Sequence, residues 1–98
     1  MRVYGLKDRV KGIYELDTLE EMQEFIGGWL EAFKMTNGLT IVCDEEALLK
    51  HKAPTIIVNI NGVPVQIRGN YFICNTKNND FCSLSDDDIK KLGWTSLL

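Results

Sequence analysis

The chain has 98 residues, 45% of them hydrophobic and 26% charged, with a formal net charge of −3. That length suits a single domain spanning 1–98, and the apolar fraction excludes wholesale disorder or a collagen-like repeat. No apolar run reaches the ~20 residues of a membrane helix, and the mild acidic excess argues against direct nucleic-acid binding.

Residues 1–12 contain no apolar core of a signal peptide, so none is expected. Residues 2–6 and 12–16 read as short strands, joined by the charged turn-like stretch Lys7-Asp8-Arg9-Val10-Lys11. Asp17 stands three residues before Glu20, a capping-box spacing, and predicts a helix starting near Thr18. Leu19, Met22, Phe25 and Ile26 fall on one stripe of that helix. Its end has two readings. Trp29, Leu30 and Phe33 continue the helical period to about Met35. Against this, the adjacent Gly27 and Gly28 form a stop signal, which makes 29–35 a strand. On the strand reading, Asn37-Gly38 is a type I′ hairpin turn into Leu39–Cys43.

Asp44-Glu45-Glu46 opens a short helical turn through Leu49, with Asp44 as its cap, and His51, Lys52 and Pro54 end it. A lone histidine among lysines reads as exposed and inert. Asn61-Gly62 then predicts a tight hairpin pairing Ile60 with Val63, Val58 with Val65, and Ile56 with Ile67. All six apolar side chains share one face, while Asn59, Gln66 and Arg68 take the other. Pro64 lacks an amide and marks a local sheet edge. Tyr71–Cys74 is a short buried strand, and Asn75–Asp80 reads as a polar loop. Ser85 caps a terminal helix with acids Asp86-Asp87-Asp88 in its first turn and Gly93 after it. Trp94 and Leu97-Leu98 pack as a tail.

The net charge hides an asymmetry. Residues 15–46 hold nine acids and one base, Lys34, for a local charge of −8 against +5 elsewhere. Such a block is either a solvated face or an acidic surface aimed at a basic partner. Cys43, Cys74 and Cys82 form no C-x-x-C pair and suit unpaired buried thiols in a reducing cytoplasm. With His51 the only histidine, no zinc set is expected. Glycine-rich phosphate loops, H-E-x-x-H and G-x-S-x-G are absent from the sequence. No catalytic residue, cofactor or metal is expected.

Four segments carry a family resemblance. Residues 19–31 read Leu-Glu-Glu-Met-Gln-Glu-Phe-Ile-Gly-Gly-Trp-Leu-Glu, and residues 41–46 read Ile-Val-Cys-Asp-Glu-Glu. Residues 67–74 read Ile-Arg-Gly-Asn-Tyr-Phe-Ile-Cys, followed by Asp-Phe-Cys-Ser-Leu-Ser-Asp. In this order they resemble the domain of unknown function 3846 family, whose pattern is L-x-x-x-Q-x-x-V-G-G-x-I-E, then C-N-E-E, I-x-G-x-x-x-I-C and S-L-T/S-D. The resemblance favours a strand after Gly27-Gly28. One departure is the Asn-Arg that the family tends to carry after its proline-containing loop; here Lys52-Ala53-Pro54 leads straight into the hairpin.

The resemblance implies a small accessory protein of phages, plasmids and conjugative elements, with no catalytic residues to carry over. With the acidic block, it points to a non-catalytic protein in the bacterial cytoplasm. The expected partner is a host protein with a basic surface, such as a restriction or CRISPR nuclease. Glu20, Glu21, Glu24, Asp44, Glu45 and Glu46 are the candidate contacts. A small enzyme or ligand-binding module using Cys82, His51 or Asp86–Asp88 is the alternative, and an edge-strand homodimer is a third. The expected fold is α+β, a single mainly antiparallel sheet of about five to six strands with two helices packed on it.

Overall fold

The computed structural model describes residues 1–94. Its elements run β1 (Arg2–Lys7), β2 (Val10–Glu15), α1 (Leu19–Ile26), β3 (Leu30–Lys34), β4 (Thr40–Asp44), β5 (Pro54–Ile60), β6 (Val63–Arg68), β7 (Tyr71–Lys77), β8 (Asp80–Cys82) and α2 (Asp86–Trp94). The main sheet has six strands in the order β2-β1-β7-β4-β3, with β8 paired to β7, and every pairing is antiparallel. The fold is therefore α+β. The β5-β6 hairpin forms a second, two-stranded sheet.

Period two along the central strands sorts the core into two layers. Val42, Phe72 and Cys74 face α1, where they pack with Val3, Leu16, Phe25 and Ile26. Ile41, Cys43, Tyr71 and Ile73 face the other way and pack with Val58 and Ile67 of the hairpin and Leu92 of α2. Covered on both sides, β4 is buried at all five positions. Phe25 anchors the first layer, meeting Tyr14 and Phe72 edge-on at ring-centroid distances of 4.9 and 5.9 Å.

The chain leaves α1 as a strand. Gly27 takes the left-handed conformation (φ 82°) and its amide donates to the Gln23 carbonyl, which closes the helix after eight residues. The cap lies one residue later than the Asp17–Glu20 spacing predicts. Thr18 Oγ1 accepts from the Glu21 amide, and Glu21 Oε1 accepts from the Asp17 amide. Leu19 opens the apolar stripe expected to pack as core, but it is the first helical residue and is 58% exposed; the second turn, with Phe25 and Ile26, is what rests on the sheet.

The Asn61-Gly62 hairpin has the register read from sequence, Ile60 to Val63, Val58 to Val65 and Ile56 to Ile67. Asn61 (φ 53°) and Gly62 (φ 76°) supply the two positive angles of the turn. Val63, next to the turn, is 57% exposed and lies beyond the reach of the core. Among the described residues β6 pairs only with β5, consistent with Pro64 at an edge.

Three other turns differ from expectation. Asn37-Gly38 is not a two-residue turn: the Met35 amide donates to Leu39, the Gly38 amide donates to Met35, and only Gly38 has positive φ. This is a three-residue loop. Asp8-Arg9 is the tight turn between β1 and β2, so both strands are longer than read. Asn75–Asp80 is no loop: β7 continues to Lys77, Asn78-Asn79 turns with positive φ, and β8 follows. At the C-terminal helix, Ser85 Oγ accepts from the Asp88 amide as expected, but α2 runs through Gly93 to Trp94. The packing expected of the Trp94 side chain and of Leu97-Leu98 lies outside the described residues. No helix among the described residues is long and apolar enough to cross a membrane.

Phe25→Ala removes the residue that touches both neighbouring rings. It is expected to cost about 3–5 kcal/mol, a large part of the about 5–10 kcal/mol typical of such domains. Urea unfolding measures this as a lower midpoint; an unchanged midpoint contradicts the packing described.

Candidate functional site

Asp44 ends β4 and turns its carboxylate inward, fully shielded from solvent. Two ammonium groups follow it there. Oδ2 accepts from Lys52 Nζ at 2.7 Å and from Lys50 Nζ at 2.9 Å, while Oδ1 accepts from the Glu46 amide at 2.8 Å. Burial alone pushes this carboxyl up, but the Lys52 and Lys50 ammoniums and the Glu46 amide outweigh it and hold it at about 2. Both lysines have a second task. Lys52 Nζ donates to the Ile26 carbonyl and Lys50 Nζ to the Gly27 carbonyl, each at 3.1 Å. The C-terminus of α1, whose carbonyls have no helical partner, is thus capped by two cations.

The glycines make room for this cluster. A Cβ on Gly28 would stand 2.5 Å from Lys50 Nζ and 2.8 Å from Asp44 Oδ1. A Cβ on Gly69 would stand 2.7 Å from Lys52 Cδ. The Lys52 carbonyl accepts from Arg68 Nη1, and the Gly69 amide donates to Ala53. Gly27-Gly28, Cys43–Glu46 and Ile67–Gly69, each part of a resemblance segment, therefore meet at one place.

Two clefts flank the cluster's elements. One, of about 260 Å³, lies between β3 and β6, with Glu31, Phe33, Cys43, Leu48, Val65 and Arg68 among its walls. Burial, with Glu31 and Asp44 nearby, pushes the Cys43 thiol up to about 11. It is therefore a protonated thiol at neutral pH and a weak nucleophile. The other cleft, also about 260 Å³, lies between α1 and the β1-β2 hairpin and holds Lys7, Glu21 and Glu24.

Of the six carboxylates singled out from sequence, five are exposed: Glu20, Glu21 and Glu24 on α1, and Glu45 and Glu46 after β4. Asp44 is not on that surface. It is buried and neutralised by two lysines that lie beyond the acidic block in sequence. Those lysines stand at the joint between the two exposed groups. The face is therefore less acidic than a charge of −8 suggests, and Lys50 and Lys52 are the residues the sequence reading missed. A lysine in a surface turn gives no local sign that it will fold back onto a helix end.

Of the other candidates, Cys82 is half-buried rather than buried, His51 is exposed, and Asp86 and Asp88 serve the fold. Cys74 is buried, and burial pushes its thiol up to about 12. Asp88 accepts from the Ser85 amide and from Asn75, which hold its carboxyl below the usual range. Asp86 pairs with Arg2 at 3.0 Å. Among the described residues no three His, Cys, Asp or Glu side chains converge as a metal site.

A family model described as "Domain of unknown function (DUF3846)" matches residues 1–95, and the chain belongs to that family. No curated protein and no solved structure matches it.

The Asp44 cluster predicts a pH signature. Its carboxyl sits near 2 when folded against an ordinary 3.8, a difference of about 2 kcal/mol. A lowered folded value stabilises above the unfolded value and is lost as pH falls from about 4 towards 2. Asp44→Asn is expected to be less stable than wild type at pH 7. The gap should close by about 2 kcal/mol at pH 2, measured by urea unfolding at both pH values. A gap independent of pH would remove the charge from the account.

Proposed function

We propose that this family member is a non-catalytic interaction protein of a mobile element, acting in the bacterial cytoplasm on a host protein with a basic surface. A defence nuclease of the restriction or CRISPR type is the partner class that fits. The supporting observation is the exposure of Glu20, Glu21 and Glu24 on one short helix beside Glu45 and Glu46 in the adjoining turn. Lys50 and Lys52 hold these two segments together through the α1 carbonyls. Carboxylates on a helix that is pinned at its end present a fixed pattern of charge. Such a pattern speeds and orients the encounter with a cationic surface. Asp44 has no part in the contact; its charge is spent inside.

The test is capture from host lysate together with a nuclease-inhibition assay. The variant Glu20→Lys/Glu24→Lys/Glu45→Lys/Glu46→Lys is expected to lose binding by tenfold or more. Wild-type binding should weaken as salt shortens the screening length below ~8 Å. Binding indifferent to both changes excludes the acidic face.

A further inference from the structure

β3 is the last strand of the main sheet, and among the described residues nothing pairs on its outer side. Two bonds fix which of its backbone groups are free. The Glu45 amide donates to the Trp29 carbonyl, and the Met35 amide donates to the Leu39 carbonyl. The register between them runs without a bulge, from Leu30 opposite Asp44 to Lys34 opposite Thr40. Alternation then turns the amides and carbonyls of Leu30, Ala32 and Lys34 outward. Such a row is a template for one more strand.

The slot between β3 and β6 lies alongside this row and shows what side chains an added strand would carry. Glu31 and Phe33 point to the slot side of β3 and line it with Val65 and Leu48. Glu31 has no ion-pair partner among the described residues. An added strand would set one side chain opposite Phe33 and, two residues on, another opposite Glu31. The first must be apolar and the second cationic.

We propose that the β3 edge binds an extended partner segment, antiparallel like the rest of the sheet, with the pattern apolar-x-Arg/Lys. This deepens the reading of an acidic interaction surface and rests on it. A second copy of the chain is the poorer occupant. Lys34 is the one cation of β3 and lies on the opposite face from Glu31, so pairing with the β3 of a second copy sets no cation opposite that carboxylate. A basic strand neutralises it.

The probe is the acetylated and amidated peptide Thr-Val-Thr-Arg-Thr, titrated into the full-length protein and followed by amide NMR and hydrogen exchange. The amides of Leu30, Ala32 and Lys34 are expected to shift and gain protection. Arg→Glu in the peptide should weaken binding at least tenfold, and N-methylation of its pairing amides should abolish it. Ala32→Pro removes an outward amide and leaves the β4 ladder intact, so it should lose the response with an unchanged urea midpoint. If that variant fails to fold, the N-methylated peptide carries the test. Shifts confined to α1, or no response, overturn the edge proposal. If the four-lysine variant nonetheless fails to capture a host protein, the acidic-face reading stands without the edge. Protection of the three amides without peptide, with a dimer by light scattering, overturns the proposal in favour of self-pairing.

Discussion

One buried carboxylate joins the end of α1, the turn after β4 and the base of the β5-β6 hairpin. Asp44 draws Lys50 and Lys52 together onto the end of α1. Two ammoniums side by side repel, and helix carbonyls carry only about half a charge between them. With Asp44 between them the group keeps a single net positive charge, which is what the helix C-terminus favours. The cost of taking Asp44 out of water is offset because both of its oxygens are hydrogen-bonded, which distinguishes it from a bare buried ion pair. The same cluster fixes the turn after β4 and, through the Lys52 carbonyl and Arg68, the base of the β5-β6 hairpin. Both cover layers of the sheet, helix and hairpin, are therefore attached at one point.

Three of the segments that carry the resemblance meet in this cluster. The Gly-Gly pair ends the helix and leaves space for Lys50 beside Asp44. The Cys-Asp-Glu-Glu stretch provides the carboxylate and the turn that returns the lysines. The Ile-x-Gly stretch lets the Lys52 stem pass against backbone. Position 44 needs a charge as well as an acceptor, because two ammoniums meet there. Asparagine retains an acceptor oxygen for the turn amide but not the charge that holds two ammoniums. The lysine pair and the aspartate therefore belong together, as one local solution to closing the α1 end.

Sequence reading succeeded where structure is decided locally. The Asn61-Gly62 hairpin was legible because turn chemistry and a two-residue hydrophobic period agree over 12 residues, 56–67. The end of α1 is ambiguous in the residues alone because Trp29, Leu30 and Phe33 suit a helical stripe as well as a strand, with Gly27-Gly28 as the counter-signal; the resemblance decides for the strand. The turn-like reading of Lys7–Lys11 holds, but the turn is narrower than expected, at Asp8-Arg9, and Asn78-Asn79 reads as loop; neither pair contains glycine to mark a tight turn, although Asn and Asp tolerate positive φ. Most of the candidate site was less legible. Exposed glutamates on α1 follow from helical period. Burial of Asp44 depends on Lys50 and Lys52 returning to the helix end, and hence on a turn whose path the local sequence does not specify. A charge count that stops at residue 46 excludes the two cations that matter most.

The attachment at Asp44 also bears on the open edge of the sheet. β3 begins two residues after the glycines and is held at its start by the bond between Trp29 and Glu45. Its inner side is fully used by β4, and its start is fixed to the same turn that anchors the helix. The hairpin passes beside β3 and, among the described residues, pairs only with itself, which leaves the outer row of β3 without a strand partner there. An unpaired edge in a mobile segment would lose conformational entropy on binding. This one is already ordered by contacts that a partner need not supply, so more of each new backbone bond is available for association. The interaction that stabilises the fold is therefore also the one that prepares its unpaired strand.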